Sequence, residues 1–295
     1  MRGLLCFFMP LALAPLSPVA LAAQRSSGPR AGTLILTGGE FPAAVRERFV
    51  ALAGGSDAEI VYVPTAASAL KLESGFIYEP PDSDGVGAGA TRAFEAELAK
   101  LFGVRRVTVL HTRNRATANS RDFSRPLRRV RGVWLSSGNS GRLASAYLGT
   151  RVQRELEALL ERGGVVGGNS AGAIIQGSYI VRGRPDKPLL MAKGHEAGFG
   201  FLTNVAVNPH LISAKRENEL VDVVDAHPEL LGVGLADSAA VIVNGDRMEV
   251  IGDGRVAIYD DEKHGCCWYY WLPRGAVFDL RARKVISTSD SAAVR

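Results

Sequence analysis

Cysteine is scarce in this chain of 295 residues, which has only Cys6, Cys266 and Cys267. The sequence therefore lacks the spacing of a disulfide framework or of a cysteine-based metal site. Cys266 and Cys267 are adjacent, and disulfide geometry strains the peptide between neighbouring cysteines. A buried pair beside the aromatic residues 268–271 is the expected arrangement.

Long runs of like charge are also missing. Lys and Arg number 35 against 30 Asp and Glu, and the densest basic stretch is Arg125–Arg131. This pattern does not predict a nucleic-acid partner. There is no internal repeat or low-complexity linker, and no residue pattern predicts a metal or a cofactor.

The N-terminal segment has the layout of a secretory signal peptide. Arg2 supplies a positive start, residues 4–21 are largely apolar, and Ala20-Leu21-Ala22 forms a small-residue cleavage site. Three prolines in the apolar stretch argue against an uncleaved membrane anchor. Residues 1–23 are therefore predicted to be removed, giving a secreted or periplasmic protein without a membrane partner. Residues 24–295 are expected to form a single α/β domain.

Apolar, β-branched runs alternate with helical patterns in the first two thirds of the chain. Strands are predicted at 33–37, 59–63, 106–110 and 132–135, and helices at 42–52, 91–102 and 152–162. Such alternation indicates a mostly parallel sheet with helices on both faces. Beyond about residue 230, turns such as Asn244-Gly245 predict antiparallel strands toward the C-terminus. Ligands of these sheets bind beyond the carboxyl ends of the strands, where residues 71–90 are expected to form a long loop.

The segment Gly168-Asn169-Ser170-Ala171-Gly172 directly follows an apolar run and precedes a stretch that can open a helix. A sharp strand–turn–helix connection exposes the serine hydroxyl, and small flanking residues let the backbone turn. The helix N-terminus also directs free N–H groups to this point. Ser170 is therefore the candidate nucleophile, and a serine that merely caps the helix is the alternative.

A second turn, Gly138-Asn139-Ser140-Gly141, also follows a predicted strand, but its next residue is Arg142. This departs from the nucleophile pattern and better suits a loop that presents backbone N–H groups to an oxyanion. The amides of Gly138 and Ala171 are predicted to hold the oxyanion, and Ser140 is predicted to line the substrate site.

A serine hydroxyl needs a base to accept its proton. His210 ends a predicted strand at 204–208 and precedes a helix predicted to begin near Ala214, so it lies at the same sheet edge as Ser170. The other histidines fall in predicted loops or after a helix: His111, His195, His227 and His264. His210 is the candidate base.

Together these segments resemble the cyanophycinase and aspartyl dipeptidase family of serine peptidases, whose fold is similar to class I glutamine amidotransferases. The resemblance covers most of residues 32–285. It is carried by residues 36–40, 63–68, 134–143, 169–173, 208–210, 232–237 and 275–280. It implies hydrolysis of amide bonds in small peptides, with Ser170 as nucleophile, His210 as base and an acidic residue that orients His210.

Two acidic residues are candidates for orienting His210. Asp237 follows an apolar strand, where cyanophycinase-like members have Glu, whereas Asp186 resembles the acid of the dipeptidase branch. Either carboxylate must reach the imidazole nitrogen that faces away from Ser170. Asp237 is favoured because a strand end holds a carboxylate more rigidly than the loop 183–188.

The chain also departs from the family pattern. Cyanophycin-cleaving members typically carry Gly-Gly-Asp-Gln where this chain has Ser137-Gly-Asn-Ser140. They carry Asp-Gln-His-Phe and several arginines where it has Asn208-Pro-His-Leu211, Ala214, Lys215 and Arg216. These changes argue against cyanophycin itself, and the expected substrates are small peptides of an aspartyl or cyanophycin-like kind. Lys215 and Arg216 either bind a substrate carboxylate or are solvated charges.

Two further functions are considered. An esterase of the α/β-hydrolase type orders its triad Ser, Asp, His, which would use Asp222 or Asp225 with His227. The few residues between these partners disfavour that triad. A binding protein that has lost catalysis on the same fold is the second alternative, and a homo-oligomer is compatible with the sequence.

Overall fold

A computed structural model describes residues 26–81 and 88–288. The predicted signal peptide, residues 1–23, lies outside the described residues. Within the described ranges, no helix combines the length and the hydrophobicity that a membrane crossing requires.

Sixteen strands and eight α-helices are assigned in these ranges, together with a 3-10 turn at Arg125–Arg128. The strands are β1 (Thr33–Thr37), β2 (Glu59–Val63), β3 (Leu70–Lys71), β4 (Ile77–Tyr78), β5 (Arg106–Val109), β6 (Gly132–Leu135), β7 (Val165–Asn169), β8 (Gly177–Tyr179), β9 (Leu202–Asn208), β10 (Leu231–Leu235), β11 (Ala240–Asn244), β12 (Arg247–Val250), β13 (Val256–Tyr259), β14 (Tyr270–Leu272), β15 (Val277–Asp279) and β16 (Lys284–Ser287). The helices are α1 (Ala43–Ala53), α2 (Ala88–Phe102), α3 (Arg115–Ala118), α4 (Arg121–Ser124), α5 (Ser140–Tyr147), α6 (Arg151–Glu161), α7 (Ala171–Ile174) and α8 (Glu219–Ala226).

The central sheet has nine strands in the order β16-β15-β12-β11-β1-β7-β6-β2-β5. The five neighbouring strands β1, β7, β6, β2 and β5 pair in parallel. The strands β11, β12, β15 and β16 extend the sheet from β1 by antiparallel pairing. The predicted α/β class, with antiparallel strands toward the C-terminus, is confirmed. The carboxyl ends of β1, β7, β6 and β2 therefore meet at one edge of this sheet.

Helices cover both faces of the central sheet. Side chains alternate between the two faces along each strand, so buried strands contribute apolar residues to both. On one face, Ile35, Ile60 and Val165 pack with residues of α1 and α2. On the other face, Leu34 and Val166 join a larger core with residues of α5, α6 and a second sheet.

The second sheet has five strands in the order β14-β13-β10-β9-β8. Strands β8, β9 and β10 are parallel, and β13 and β14 are antiparallel. All five residues of β10 are buried. The sequence predicted one sheet ending in antiparallel strands, whereas β9 and β10 pair with each other in a separate sheet. An apolar run identifies a buried strand but does not specify its neighbours.

Three local expectations were wrong. The helix predicted near Ala214 begins at Glu219, and residues 211–215 form turns in which Lys215 has a φ of 53°. The predicted long loop at 71–90 contains the hairpin of β3 and β4 and the start of α2, although residues 82–87 lie outside the described ranges. Cys266 is exposed and Cys267 is partly buried, because the connection between β13 and β14 lies at the surface.

Candidate active site

Ser170 occupies the turn between β7 and α7. Its backbone has φ 51° and ψ −108°, a strained conformation for a residue with a side chain. The Ser170 amide donates to the Thr37 carbonyl of β1 at 3.1 Å, which fixes the turn against the neighbouring strand. The serine hydroxyl is thus presented at the carboxyl edge of the central sheet.

The two glycines of the turn are required by close backbone contacts. A Cβ at Gly168 would lie 2.4 Å from the Gly172 carbonyl oxygen, and a Cβ at Gly172 would lie 2.2 Å from the Leu135 carbonyl oxygen. Both distances are too short for a side chain, so the small residues around Ser170 allow helix α7 to pack on the strand ends.

Ser170, His210 and Asp237 form a continuous hydrogen-bonded series. The Ser170 Oγ atom lies 2.9 Å from His210 Nε2, and His210 Nδ1 lies 2.9 Å from Asp237 Oδ1. Because an ionised carboxylate only accepts hydrogen bonds, Nδ1 carries the proton and Nε2 is left to accept from the serine hydroxyl. The structure brings these three sequence-predicted residues together.

The histidine and the aspartate come from the second sheet. His210 follows β9 and has a φ of 56°, and Asp237 follows β10. Because β9 and β10 are parallel neighbours, their carboxyl ends lie side by side. The site therefore lies where the edges of the two sheets meet, with the serine on one edge and its partners on the other.

Asp237 is held by more groups than the sequence indicated. The Ser213 hydroxyl donates to Asp237 Oδ1 at 2.6 Å, and the Ser213 amide donates to Oδ2 at 3.2 Å. Burial alone would raise the pKa of Asp237, but the hydrogen bonds from Ser213 and His210 outweigh burial and lower it. The carboxylate is thereby kept ionised and fixed in orientation.

Gly39, which follows β1, is a further site residue to which sequence reasoning gave no role. A Cβ at this position would lie 2.2 Å from His210 Cε1, so the backbone passes directly against the imidazole. The Asn169 side chain donates to the Gly39 carbonyl at 3.4 Å. The signal available in the sequence is Gly38-Gly39 at the end of a strand, next in the sheet to the strand of Ser170.

The two predicted oxyanion donors lie at the ends of neighbouring parallel strands. Gly138 follows β6 with a φ of 135°, and Ala171 is the first residue of α7. A Cβ at Gly138 would lie 2.2 Å from the Ala66 carbonyl oxygen, so only glycine fits. Across the described residues, neither amide donates to another protein atom.

Ser140 does not line the site as predicted. Its side chain is buried and its hydroxyl donates to the Arg182 carbonyl at 2.9 Å. The Asn139 side chain accepts from the Gly141 amide at 2.8 Å and so caps α5 one residue before Ser140. This cap draws Ser140 into the first turn of the helix and away from solvent.

The loop between His210 and α8 carries the two predicted cationic residues. Lys215 is exposed, and Arg216 is partly buried with its guanidinium 3.4 Å from the Pro209 carbonyl oxygen. Burial, reinforced by the charge of Arg182, lowers the pKa of Arg216, while Glu219 and Asp237 act in the opposite sense. No described carboxylate lies within 4.0 Å of either cation.

The model of peptidase family S51 matches residues 34–251. The chain belongs to this family. It is 27% identical over 252 residues to a cyanophycinase from Synechococcus elongatus, covering 83% of this chain and 73% of that protein. It is 28% identical over 243 residues to a cyanophycinase from Nostoc sp., covering 78% and 74%. The predicted family resemblance is confirmed.

A solved structure has the same fold. The crystal structure of a peptidase from an acI-B1 Actinobacterium matches with a TM-score of 0.62 and 20% identity, covering 85% of this chain and 98% of that one. Membership of family S51 makes this chain a peptidase, and the α/β arrangement agrees with that of a solved peptidase.

The alternative acid of this S51 peptidase is engaged elsewhere. Asp186 forms an exposed ion pair with Arg184, at 2.6 Å between Oδ2 and Nη2. Hydrogen bonds from Arg184 lower the pKa of Asp186. Asp237, and not Asp186, is thus the carboxylate in hydrogen-bond contact with His210.

The triad considered for an esterase is not assembled. The His227 ring lies against Tyr179 with centroids 4.9 Å apart, and its Nδ1 atom lies 3.8 Å from Glu229. No side-chain hydrogen bond or ion pair joins His227 to Asp222 or Asp225 in the described part of the chain.

One group of side chains has the composition of a metal site. Asp260, Glu262 and His264 bring ligand atoms within 4.8 Å of one another in the connection between β13 and β14. His264 Nε2 lies 2.8 Å from Asp260 Oδ1, so a hydrogen bond between the two side chains accounts for this contact. Because Tyr259 pairs with Gly232, this connection lies at the end of β10 opposite to Asp237. The group is therefore separate from the hydrogen-bonded series.

Proposed function

We propose that this S51 peptidase is a serine peptidase that hydrolyses amide bonds of small peptides, with Ser170 as its nucleophile. The observation that carries the proposal is the hydrogen-bonded series from Ser170 Oγ through His210 to Asp237, with both contacts at 2.9 Å. A hydroxyl, an imidazole and a carboxylate in this order are the parts that activate a serine.

The reaction follows from the direction of these hydrogen bonds. Ser170 Oγ attacks the peptide carbonyl carbon while its proton passes to His210 Nε2. The resulting imidazolium is stabilised by Asp237, which accepts from Nδ1. Breakage of the C–N bond returns the proton to the leaving amine, and water then hydrolyses the acyl-enzyme by the same steps.

The negative charge that develops on the carbonyl oxygen needs fixed donors. We assign this role to the amides of Gly138 and Ala171. Support comes from their place at the ends of adjacent parallel strands and from the positive φ of Gly138, which turns the backbone after β6. The Ala171 amide also opens helix α7, whose N-terminus favours negative charge.

The substrate class is inferred from the relatives and from the charges beside the site. The similar proteins from Synechococcus elongatus and Nostoc sp. are cyanophycinases, which favours an aspartyl or cyanophycin-like peptide. We assign Arg216, with Lys215 as a more exposed neighbour, to the substrate carboxylate. A partly buried guanidinium without a carboxylate partner among the described residues supports this assignment.

We further propose that the mature protein is secreted or periplasmic. The support is the signal-peptide pattern of residues 1–23. Mass spectrometry of the protein purified from its native host should find an N-terminus near Ala23 or Gln24. A cellular protein that retains Met1 would contradict export.

Hydrolysis of a peptide library by the purified protein tests the function. Wild type should release products from small acidic peptides, Ser170→Ala should release none above background, and Ser140→Ala should retain activity. If the folded wild-type protein cleaves no peptide and reacts with no serine-directed probe, the chain is a binding protein and the proposal is wrong.

A further inference from the structure

The side chains of Asn208, Arg182 and Glu219 form a hydrogen-bonded group near the end of β9 that the proposed reaction does not use. One carboxylate oxygen of Glu219 accepts from the Arg182 guanidinium, and the other accepts from Asn208 Nδ2 at 2.9 Å. Asn208 is fully buried and ends β9, just before Pro209 and His210. Glu219 therefore ties the strand that carries the imidazole to the segment that follows β8.

Arg182 and Arg216 bring two guanidinium groups to this side of the site. Burial lowers the pKa of Arg216, and the positive charge of Arg182 adds to this effect. Arg182 is paired with Glu219, and only 15% and 22% of these two side chains are exposed. Arg216 has no such partner in the described ranges.

The pairing matters because His210 becomes a cation during the proposed reaction. An unbalanced positive charge nearby disfavours the imidazolium, and an unbalanced negative charge favours it. Water screens partly buried charges less than exposed ones. Glu219 is hydrogen-bonded to Asn208, two residues before His210. We therefore expect a net charge on the Arg182–Glu219 pair to act on the imidazole, whereas a neutral pair leaves the potential there nearly unchanged.

We propose that Arg182 and Glu219 are positioning residues that act as a charge-balancing pair beside His210, leaving Arg216 to receive a single substrate carboxylate. This inference rests on the proposed serine peptidase function. This arrangement selects substrates with one carboxylate near the scissile amide, because Glu219 already neutralises the second guanidinium, that of Arg182.

Other charged residues lie in the segments around His210, and all of them stay constant in the test. They are Asp237 after β10, Glu40 after β1, and Lys215, Arg216 and Glu217 in the loop that follows β9. Differences between variants of the pair therefore report the pair alone.

The experiment measures the rate at which a fluorophosphonate labels Ser170 as a function of pH. In Glu219→Gln, the surplus positive charge should move the half-maximal rate to lower pH by about 0.5 to 1 unit. In Arg182→Gln, the surplus negative charge should move it to higher pH by a similar amount. The double variant should return to within about 0.2 unit of wild type, because the pair is again neutral.

Two controls separate charge from shape. Arg182→Lys keeps the charge and should leave the profile in place, even if the hydrogen-bond geometry changes. Asp225→Asn removes a negative charge from the far end of α8 and should shift the profile by less than about 0.2 unit. Circular dichroism identifies folded variants, and Glu219→Gln with the double variant suffices if Arg182→Gln does not fold.

Opposite shifts that cancel in the double variant support the proposal, since a purely structural defect would not change sign. Shifts in the same direction, or no shift in folded Glu219→Gln, would overturn it. Undiminished labelling of Ser170→Ala would instead overturn the proposed function, so the two failures are distinguishable.

Discussion

The chain contains the tripeptide Gly-Asn-Ser twice, at residues 138–140 and 168–170, and the two copies behave differently. Each follows a strand, and these strands, β6 and β7, are parallel neighbours. Ser170 stays outside the helix with a φ of 51°, and its hydroxyl contacts His210. Ser140 is the first residue of α5, and its hydroxyl is buried against the Arg182 carbonyl.

The asparagine of each turn explains the difference. Asn139 caps α5 by accepting from the Gly141 amide, so the helix includes Ser140. The Asn169 side-chain oxygen Oδ1 instead accepts from the Trp134 ring nitrogen at 3.2 Å, and the side-chain nitrogen Nδ2 donates to the Gly39 carbonyl. With its side chain bound elsewhere, Asn169 does not cap α7. The helix then starts after Ser170, and the hydroxyl remains free to meet the imidazole.

The largest expected effect comes from exchanging the two serines for alanine in turn. Ser170→Ala should lower hydrolysis by a factor on the order of 10⁵ or more, because it removes the proposed nucleophile. Ser140→Ala should change the rate by less than about threefold while lowering the free energy of unfolding by roughly 1 to 2 kcal/mol, since a buried carbonyl loses its donor. Steady-state kinetics and urea denaturation measure both quantities. Equal losses of activity would remove the distinction between the turns.

The acids near each turn allow a second test of the comparison. Asp237→Asn should lower turnover by roughly 10³ to 10⁴, because the imidazole loses the partner that fixes its tautomer. Asp186, which follows the segment packed on Ser140, is exposed and paired with Arg184. Asp186→Asn should therefore leave turnover within about twofold. The reverse ranking, measured under the same conditions, would assign the acid of this site to Asp186.

A smaller effect should follow from changing Gly39, which links the Ser170 turn to the histidine. Gly39→Ala places a Cβ 2.2 Å from the present position of His210 Cε1, so the ring must move. A displacement of this size should reduce kcat by about 10²-fold with little change in KM. Gly89→Ala is the matched control, because a Cβ there meets no atom within 4 Å. Wild-type kcat in Gly39→Ala would show that the imidazole position is not limiting.

The parallel half of the central sheet could be predicted from the sequence because it depends on local patterns. β1, β2 and β6 have the predicted bounds, since each is a continuous apolar run. The second sheet could not be predicted, because the pairing of β9 with β10 depends on long-range packing. The helix expected near Ala214 failed for a related reason: the Ser213 amide donates to Asp237, a contact that no local pattern contains.

The candidate site divides in the same way. Ser170 could be proposed from its own neighbours, because glycines on both sides permit the turn. The contacts of Ser213 and Gly39 join segments from different sheets, and they become visible only when those sheets meet. The burial of Ser140 also depends on a distant residue, Arg182, so its sequence motif alone was misleading.

Mapping the covalent adduct of a fluorophosphonate is the most direct test that Ser170 is the nucleophile. After labelling and proteolysis, mass spectrometry should find the adduct on the peptide that contains Ser170 in wild type and in Ser140→Ala. No adduct should form in Ser170→Ala. An adduct on Ser140, or a folded wild-type protein that is not labelled, would contradict the account.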